Sequence, residues 1–248
     1  MSVISGIVGL TSSEVLSLIA RNEEGGTAGL YDCKTILNEH RPVCTKEYHL
    51  TGKYLDGADN PDVWFPIPGA GGGTVVYSNR FLTLTSGTGV TSATRCVIDQ
   101  TTFPITGNFL EVTCKIGTYN MGAGGSRHAV IGFASAFSAY QVVAERAYFK
   151  IAGSGTCFIE IEGIQIRLDS CPIGRNLQSG DIVTLRLDRV EGTANINIAR
   201  FYVNGQKQYE TTTIPTVNCY AGIGVFSNAD TTTPVIIAID YFGVKYVP

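Results

Sequence analysis

Cys33, His40, Cys44 and His49 stand in the order C-x6-H-x3-C-x4-H. Deprotonated thiolates and imidazoles are the ligands of a closed tetrahedral zinc site. The first gap exceeds the spacing usual in zinc modules. The set is therefore read mainly as unrelated residues, with zinc and a Cys33–Cys44 disulfide kept as alternatives. Acyl-transfer chemistry would need a nucleophile beside a histidine. Only three histidines are present, His40, His49 and His128, and no Gly-x-Ser-x-Gly elbow occurs. The glycine-rich stretches "GAGGGT" and "NMGAGGSRH" lack the Lys-Ser/Thr ending of a phosphate loop. Both lie between strand-like runs and read as turns. Tyr119, Tyr140, Tyr148, Tyr202, Tyr209 and Tyr220 are spread over strands and loop ends. Most are expected to fill sheet edges, while an exposed one could pack the C–H face of a sugar ring.

The bulk numbers favour strands as the elements that carry these groups. The chain has 248 residues, 44% hydrophobic and only 16% charged, with 29 glycines. Thr, Val and Ile crowd the last two thirds, which suits strands joined by tight turns. A net charge of −3 provides no footprint for nucleic acid or an anionic membrane surface. No apolar run is long enough to cross a bilayer as a helix. The start, "MSVISGIVGLTSSEV", has no basic residue before its apolar patch and is read as mature protein rather than a signal peptide. The seven cysteines form no dense framework, so they are read mainly as free thiols, with one or two disulfides as the alternative.

Two regions follow from the patterning. In residues 1–60, Thr11 and Glu14 have capping-box spacing, and Val15, Leu18 and Ile19 share a helical face that ends at Gly25-Gly26. "YDCKTILNEH" suggests a second short helix. Neither stripe buries itself alone, so this region is expected to dock on the β domain or on another subunit. "LDGADNPDVWFPIPGAGGG" reads as an entry loop. From about residue 74, alternating runs arrive in close succession. "CFIEIEGIQIRL" turns at Glu162-Gly163, with Ile159 and Ile161 on one side and Glu160 and Glu162 on the other, read as solvated. "DIVTLRLDRV" puts Val183, Leu185 and Leu187 inward. "ARFYVNGQKQYE" turns at Asn204-Gly205, with Phe201 and Val203 inward. Such alternation gives each sheet one buried and one solvated face. The expected fold is all-β, an antiparallel two-sheet β-sandwich of jelly-roll type over residues 61–248, with a small, partly helical N-terminal extension. A closed barrel is the alternative.

The order of the last hundred residues carries a resemblance. Val203-Asn204-Gly205 is followed by Gly222-Ile223-Gly224 and then by Ile239-Asp240-Tyr241 with Val244. With "RFLTLTSGTG" as a first strand, residues from about 74 to 248 resemble concanavalin A-like lectin/glucanase domains, including their laminin-G-like branch. The resemblance implies the sandwich, and glycan binding or glycan hydrolysis as activities. Hydrolysis needs two carboxylates flanking the scissile bond. The nearest pair, Glu160 and Glu162, lacks the third acid of the family's Glu-x-Asp-x-x-Glu pattern and sits at a hairpin, so no catalytic residue is assigned.

The same resemblance implies Ca²⁺ near a glycan site. Asp56, Asp59 and Asp62, with Asn60, supply oxygens but match no known cation loop. An Asx/Pro turn is the main reading, with Ca²⁺ as the alternative. Asn228 and Asp230, at the end of a sandwich strand, are the second loop of that kind. With Tyr140, they are the candidate ligand-binding residues.

These observations lead to a non-enzymatic expectation. The chain reads as a structural or adhesive subunit of a virion, phage tail or extracellular appendage. It would form homo-oligomers or assembly contacts through its N-terminal region and present a glycan- or receptor-facing surface. A free-standing carbohydrate-binding module is the alternative. A glycoside hydrolase is disfavoured, and neither nucleic acid nor membrane insertion is expected.

Overall fold

The computed structural model describes residues 46–51, 64–67, 72–79, 81–87, 92–98, 102–122, 126–136, 145–190, 192–228 and 233–247. The two helices expected near the N-terminus, and Cys33, His40, Cys44, Asp56, Asp59, Asp62, Tyr140 and Asp230, lie outside them. All described strands fall in the compact unit Thr45–Pro248.

Among the described residues, fifteen antiparallel strands form two sheets. They are β1 (Lys46–Thr51), β2 (Trp64–Ile67), β3 (Thr74–Ser78), β4 (Phe81–Thr85), β5 (Ser92–Ile98), β6 (Phe109–Asn120), β7 (Ser126–Ala134) and β8 (Arg146–Ala152). There follow β9 (Cys157–Ile161), β10 (Ile164–Arg167), β11 (Ile182–Asp188), β12 (Ile198–Val203), β13 (Gln206–Thr211), β14 (Tyr220–Asn228) and β15 (Ile236–Val247). One sheet has the order β13-β12-β11-β6-β15-β4-β3, with β1 also paired to β15. The other has the order β10-β9-β8-β7-β14-β5-β2. The two-sheet sandwich expected from the alternation is present, and the barrel alternative is not.

The long terminal strand organises the first sheet. On one side β15 pairs with β6 along its whole length. On the other, Ile236–Ile239 pair with β4 and Tyr241–Tyr246 with β1. Trp64–Ile67, inside the stretch read as an entry loop, forms β2. Its Pro66 is tolerated because β2 lies at the edge of the sheet, where a missing N–H breaks no ladder.

The inward residues of both sheets interdigitate in one core. Leu110, Val112, Cys114 and Ile116 of β6, and Val183, Leu185 and Leu187 of β11, are buried in one sheet. Ile131, Phe133, Phe149, Ile159 and Ile161 meet them from the other. Phe149 and Phe201 make an edge-to-face contact at 5.4 Å across this core. The hairpin at Asn204-Gly205 has positive φ at both central residues, 51° and 78°, as a two-residue turn requires.

Candidate functional site

Strand alternation separates two faces of β8. Ala147, Phe149 and Ile151 point into the core, so Arg146, Tyr148 and Lys150 point to the opposite face of their sheet. The register then places neighbours side by side. Tyr148 lies opposite Gly132 and Glu160, and Glu160 opposite Gln165. In the next row, Lys150 lies opposite Val130 and Phe158, and Phe158 opposite Arg167. Gly132 also pairs with Gly222, so the centre of this face carries no side chain at that row. A Cβ on Gly132, at φ +150°, would come within 2.5 Å of the Ala147 carbonyl oxygen.

Glu160 corrects the sequence reading. It was expected on a solvated strand face, yet it is 1% exposed. Its Oε1 meets Arg146 Nη2 at 2.5 Å and accepts from the Tyr148 hydroxyl at 3.1 Å. Its Oε2 accepts from Lys150 Nζ at 3.2 Å and from Gln165 Nε2 at 2.7 Å. Burial raises the affinity of Glu160 for a proton, but Lys150, Arg146 and Tyr148 outweigh it and hold the carboxyl below its usual range. Burial first, and then the Glu160 charge, pushes the Tyr148 phenol well above its ordinary value.

Glu162 has a different task. It is the first residue of the β9–β10 turn, with φ 46°, and its carboxylate accepts from the backbone N–H groups of Glu145 and Arg146. It therefore anchors the start of β8. Glu160 is thus engaged by four donors, while Glu162 holds backbone.

His128 flanks the same face one row further along. Its ring stacks on Phe226 at 4.9 Å between centroids. Burial, and then the Lys150 charge, lowers its pKa to about 4, so it is neutral at pH 7. Val130, Ala134, Tyr148 and Phe226 make a second, smaller apolar cluster on this side, distinct from the main core. The accessible part of the face lies toward β10. There Phe158 is half-buried, and Gln165 and Arg167 are exposed. Arg167 is braced by both carboxylate oxygens of Asp169, at 3.0 and 2.5 Å.

Of the six candidate ligand and metal residues, only Asn228 is described, as the last residue of β14 opposite Ser126. The described residues contain no group of three or more His, Cys, Asp or Glu side chains placed to share a metal ion. The face built by Arg146, Lys150, Phe158, Glu160 and Gln165 was missed from sequence. The alternation of Arg146, Tyr148 and Lys150 shows that they share a side. The pairing that brings Gln165 and Phe158 beside them is set by tertiary register.

The fold is an antiparallel two-sheet β-sandwich of the concanavalin A-like type. No family model matches the chain, and no curated protein matches it. Similar solved structures include a protein of unknown function from Shewanella oneidensis MR-1, at 13% identity and TM-score 0.55, covering 90% of this chain and 95% of that one. The carbohydrate recognition domain of Emp47p is similar at 11% identity and TM-score 0.53, over 81% of this chain and 96% of that one. An endo-1,3-beta-glucanase from Streptomyces sioyaensis is similar at 18% identity and TM-score 0.52, over 76% and 90%. At these identities the likeness concerns the fold.

Proposed function

We propose that this protein is a non-enzymatic carbohydrate-recognition subunit that binds glycan on the β8–β9–β10 face of its seven-stranded sheet. The carrying observation is Phe158, a half-buried ring held in register between Lys150 and Arg167, with Gln165 one row away. A sugar ring packs its C–H face on such an aromatic while flanking cations and an amide take its hydroxyl groups. The Glu160 network fixes Lys150 and Gln165, so their rotamers are set before ligand arrives. The saturated Glu160 favours binding over acid catalysis, because a general acid needs a transferable proton.

The subunit is further read as part of a larger extracellular or virion-type assembly, joined through residues 1–60. Low charge, abundant Gly and Thr, and the amphipathic pattern near the N-terminus support this. A glycan array probed with and without Ca²⁺ tests recognition, with Phe158→Ala and Lys150→Ala beside the parent. Binding that falls at least about 10-fold in both variants is the expected result, since 1.4 kcal/mol corresponds to a factor of ten. Absence of binding to every glycan, or binding unchanged in both variants, overturns the assignment to this face. Light scattering after size exclusion tests assembly, which a persistent 26.5 kDa monomer would exclude.

A further inference from the structure

Among the described residues, β1, β2, β3, β10 and β13 each have a neighbouring strand on one side only. An open strand edge invites pairing with another chain, and proteins blunt such edges with charge, proline or bulges. β1 carries Lys46 and Glu47, and β2 holds Pro66. β10 carries Arg167, whose carbonyl accepts from the Cys171 thiol at 3.3 Å. β13 carries Lys207 and Glu210, shifts register against β12, and accepts the Ile173 N–H on Gln208 Oε1 at 2.8 Å. β3, which reads Thr74-Val75-Val76-Tyr77-Ser78, has no charge, no proline and no register shift.

The pairing of β3 with β4 fixes which of its backbone groups are open. Only Asn79 and Arg80 separate Ser78 from its partner Phe81, so that pair exchanges hydrogen bonds. Alternation then gives Thr74 and Val76 to the β4 ladder and turns the N–H and C=O groups of Val75 and Tyr77 away from it. No other backbone bond among the described residues reaches those groups. The side chains divide in the same way. Val75 and Tyr77 are half-buried against the main core. Val76 is 48% exposed on the outer face, the highest value for a large hydrophobic residue among those described.

We propose that β3 is a self-pairing edge, where a second copy of this chain adds its own β3 in antiparallel fashion and joins the two sheets into one. A two-fold axis at Val76 puts Val75 opposite the partner's Tyr77, and Tyr77 opposite the partner's Val75. Both members of each pair have open backbone groups, so each pair exchanges both of its N–H···O bonds. A register moved by one residue would set open groups against groups already bonded to β4. Val76 faces the partner's Val76 at the closer, non-hydrogen-bonded spacing, while Val75 and Tyr77 form an aromatic–β-branched pair that continues the core. No like charges are opposed along the strand. A foreign strand would have to supply this alternation, and the chain's own β3 already has it. The interface uses neither the sheet that carries Phe158 nor residues 1–60.

The full chain is measured by light scattering after size exclusion over a range of concentrations, beside Val76→Lys, Val76→Glu and an equal mixture of the two. Val76 is exposed, so both variants should keep the fold, which their melting at low concentration verifies. Should either melt early, Val75→Pro takes its place, since it removes one open N–H and leaves the β4 ladder intact. The expected result is a parent mass halved in each single variant, where like charges meet at the axis, and restored in the mixture, where Lys meets Glu. Halving is expected whether the parent is a dimer or a larger assembly joined also through other residues. A parent whose mass equals that of the variants up to about 1 mM overturns the proposal and leaves the edge to a strand of another protein. Variants that keep the parent's mass, or a mixture that stays halved, overturn it as well.

Discussion

Arg146 and Glu160 meet at 2.5 Å on the face of the sheet away from the main core, and both are nearly inaccessible to solvent. Each is the other's charge compensation in a place where water supplies little. Glu160→Gln leaves Arg146 and Lys150 without their shared anion. The expected loss is about 3 kcal/mol, the lower end of the cost of breaking a buried pair. The double variant Arg146→Met with Glu160→Gln should lose less than the sum of the two single changes. Urea unfolding of the four proteins measures the coupling, and additive losses would remove the pair from the account of stability.

His128 gives stability a pH dependence with a definite sign. Its pKa is lowered to about 4 in the fold, against an ordinary value of 6.5. Above 6.5 both folded and unfolded states keep it neutral. Between 6.5 and 4 the unfolded chain takes up the proton first, so stability falls as the pH falls through this window. The depression corresponds to at most about 3 kcal/mol, at 1.36 kcal/mol for each unit. Subtracting the profile of His128→Gln from that of the parent isolates this contribution from the acid titration of Glu160 and Asp181. A difference that is flat from pH 7 to pH 4 contradicts the assignment.

The Asn204 hairpin does more than reverse the chain. Its Oδ1 accepts from the Ile182 N–H at 2.9 Å, and its Nδ2 donates to Asp181 Oδ1 at 2.8 Å. Asp181 is also gripped by Arg175 through two bonds, at 2.7 and 2.8 Å. Asn204→Gly keeps the positive φ and should cost about 1 kcal/mol for the lost side-chain bonds. Asn204→Ala loses the bonds and also strains the turn, so it should cost about 1 kcal/mol more than the glycine variant. Equal melting temperatures for the two variants would show that backbone strain contributes nothing.

Thiol reactivity should rank by burial. Cys114, Cys157 and Cys219 are buried and free, and Cys171 is half-buried. Burial pushes Cys157 up to about 11 and Cys219 up to about 12, and it raises Cys114 further still. Among these four, alkylation mapped by mass spectrometry at pH 8 should label Cys171 first. Labelling of Cys114 in the folded protein before Cys171 would contradict the placement of β6 in the core.

The sandwich was legible in the sequence because its signals are local. Period-two alternation over Val183, Leu185 and Leu187, and the Asn204-Gly205 turn, specify strand faces and reversals without knowledge of the partners. Those residues are inward, or carry positive φ, as expected. Trp64–Ile67 was read as loop because Asp, Asn, Pro and Gly dominate the stretch around it, and its four residues form a strand that only pairing with β5 defines.

The site was less legible. Glu160 lies on the expected side of β9, but alternation says which face a residue takes and not whether that face is wet. Arg127 has no local signal at all, since a charged residue at a strand start reads as solvated. The sequence by itself determined the class of fold and the faces of its strands, because backbone geometry fixes a two-residue period. Tertiary structure alone decided that Glu160 is shared by four donors and that Arg127 is buried, with no ion pair among the described residues. Both depend on distant strands meeting in register, and no stretch of chain carries that information alone.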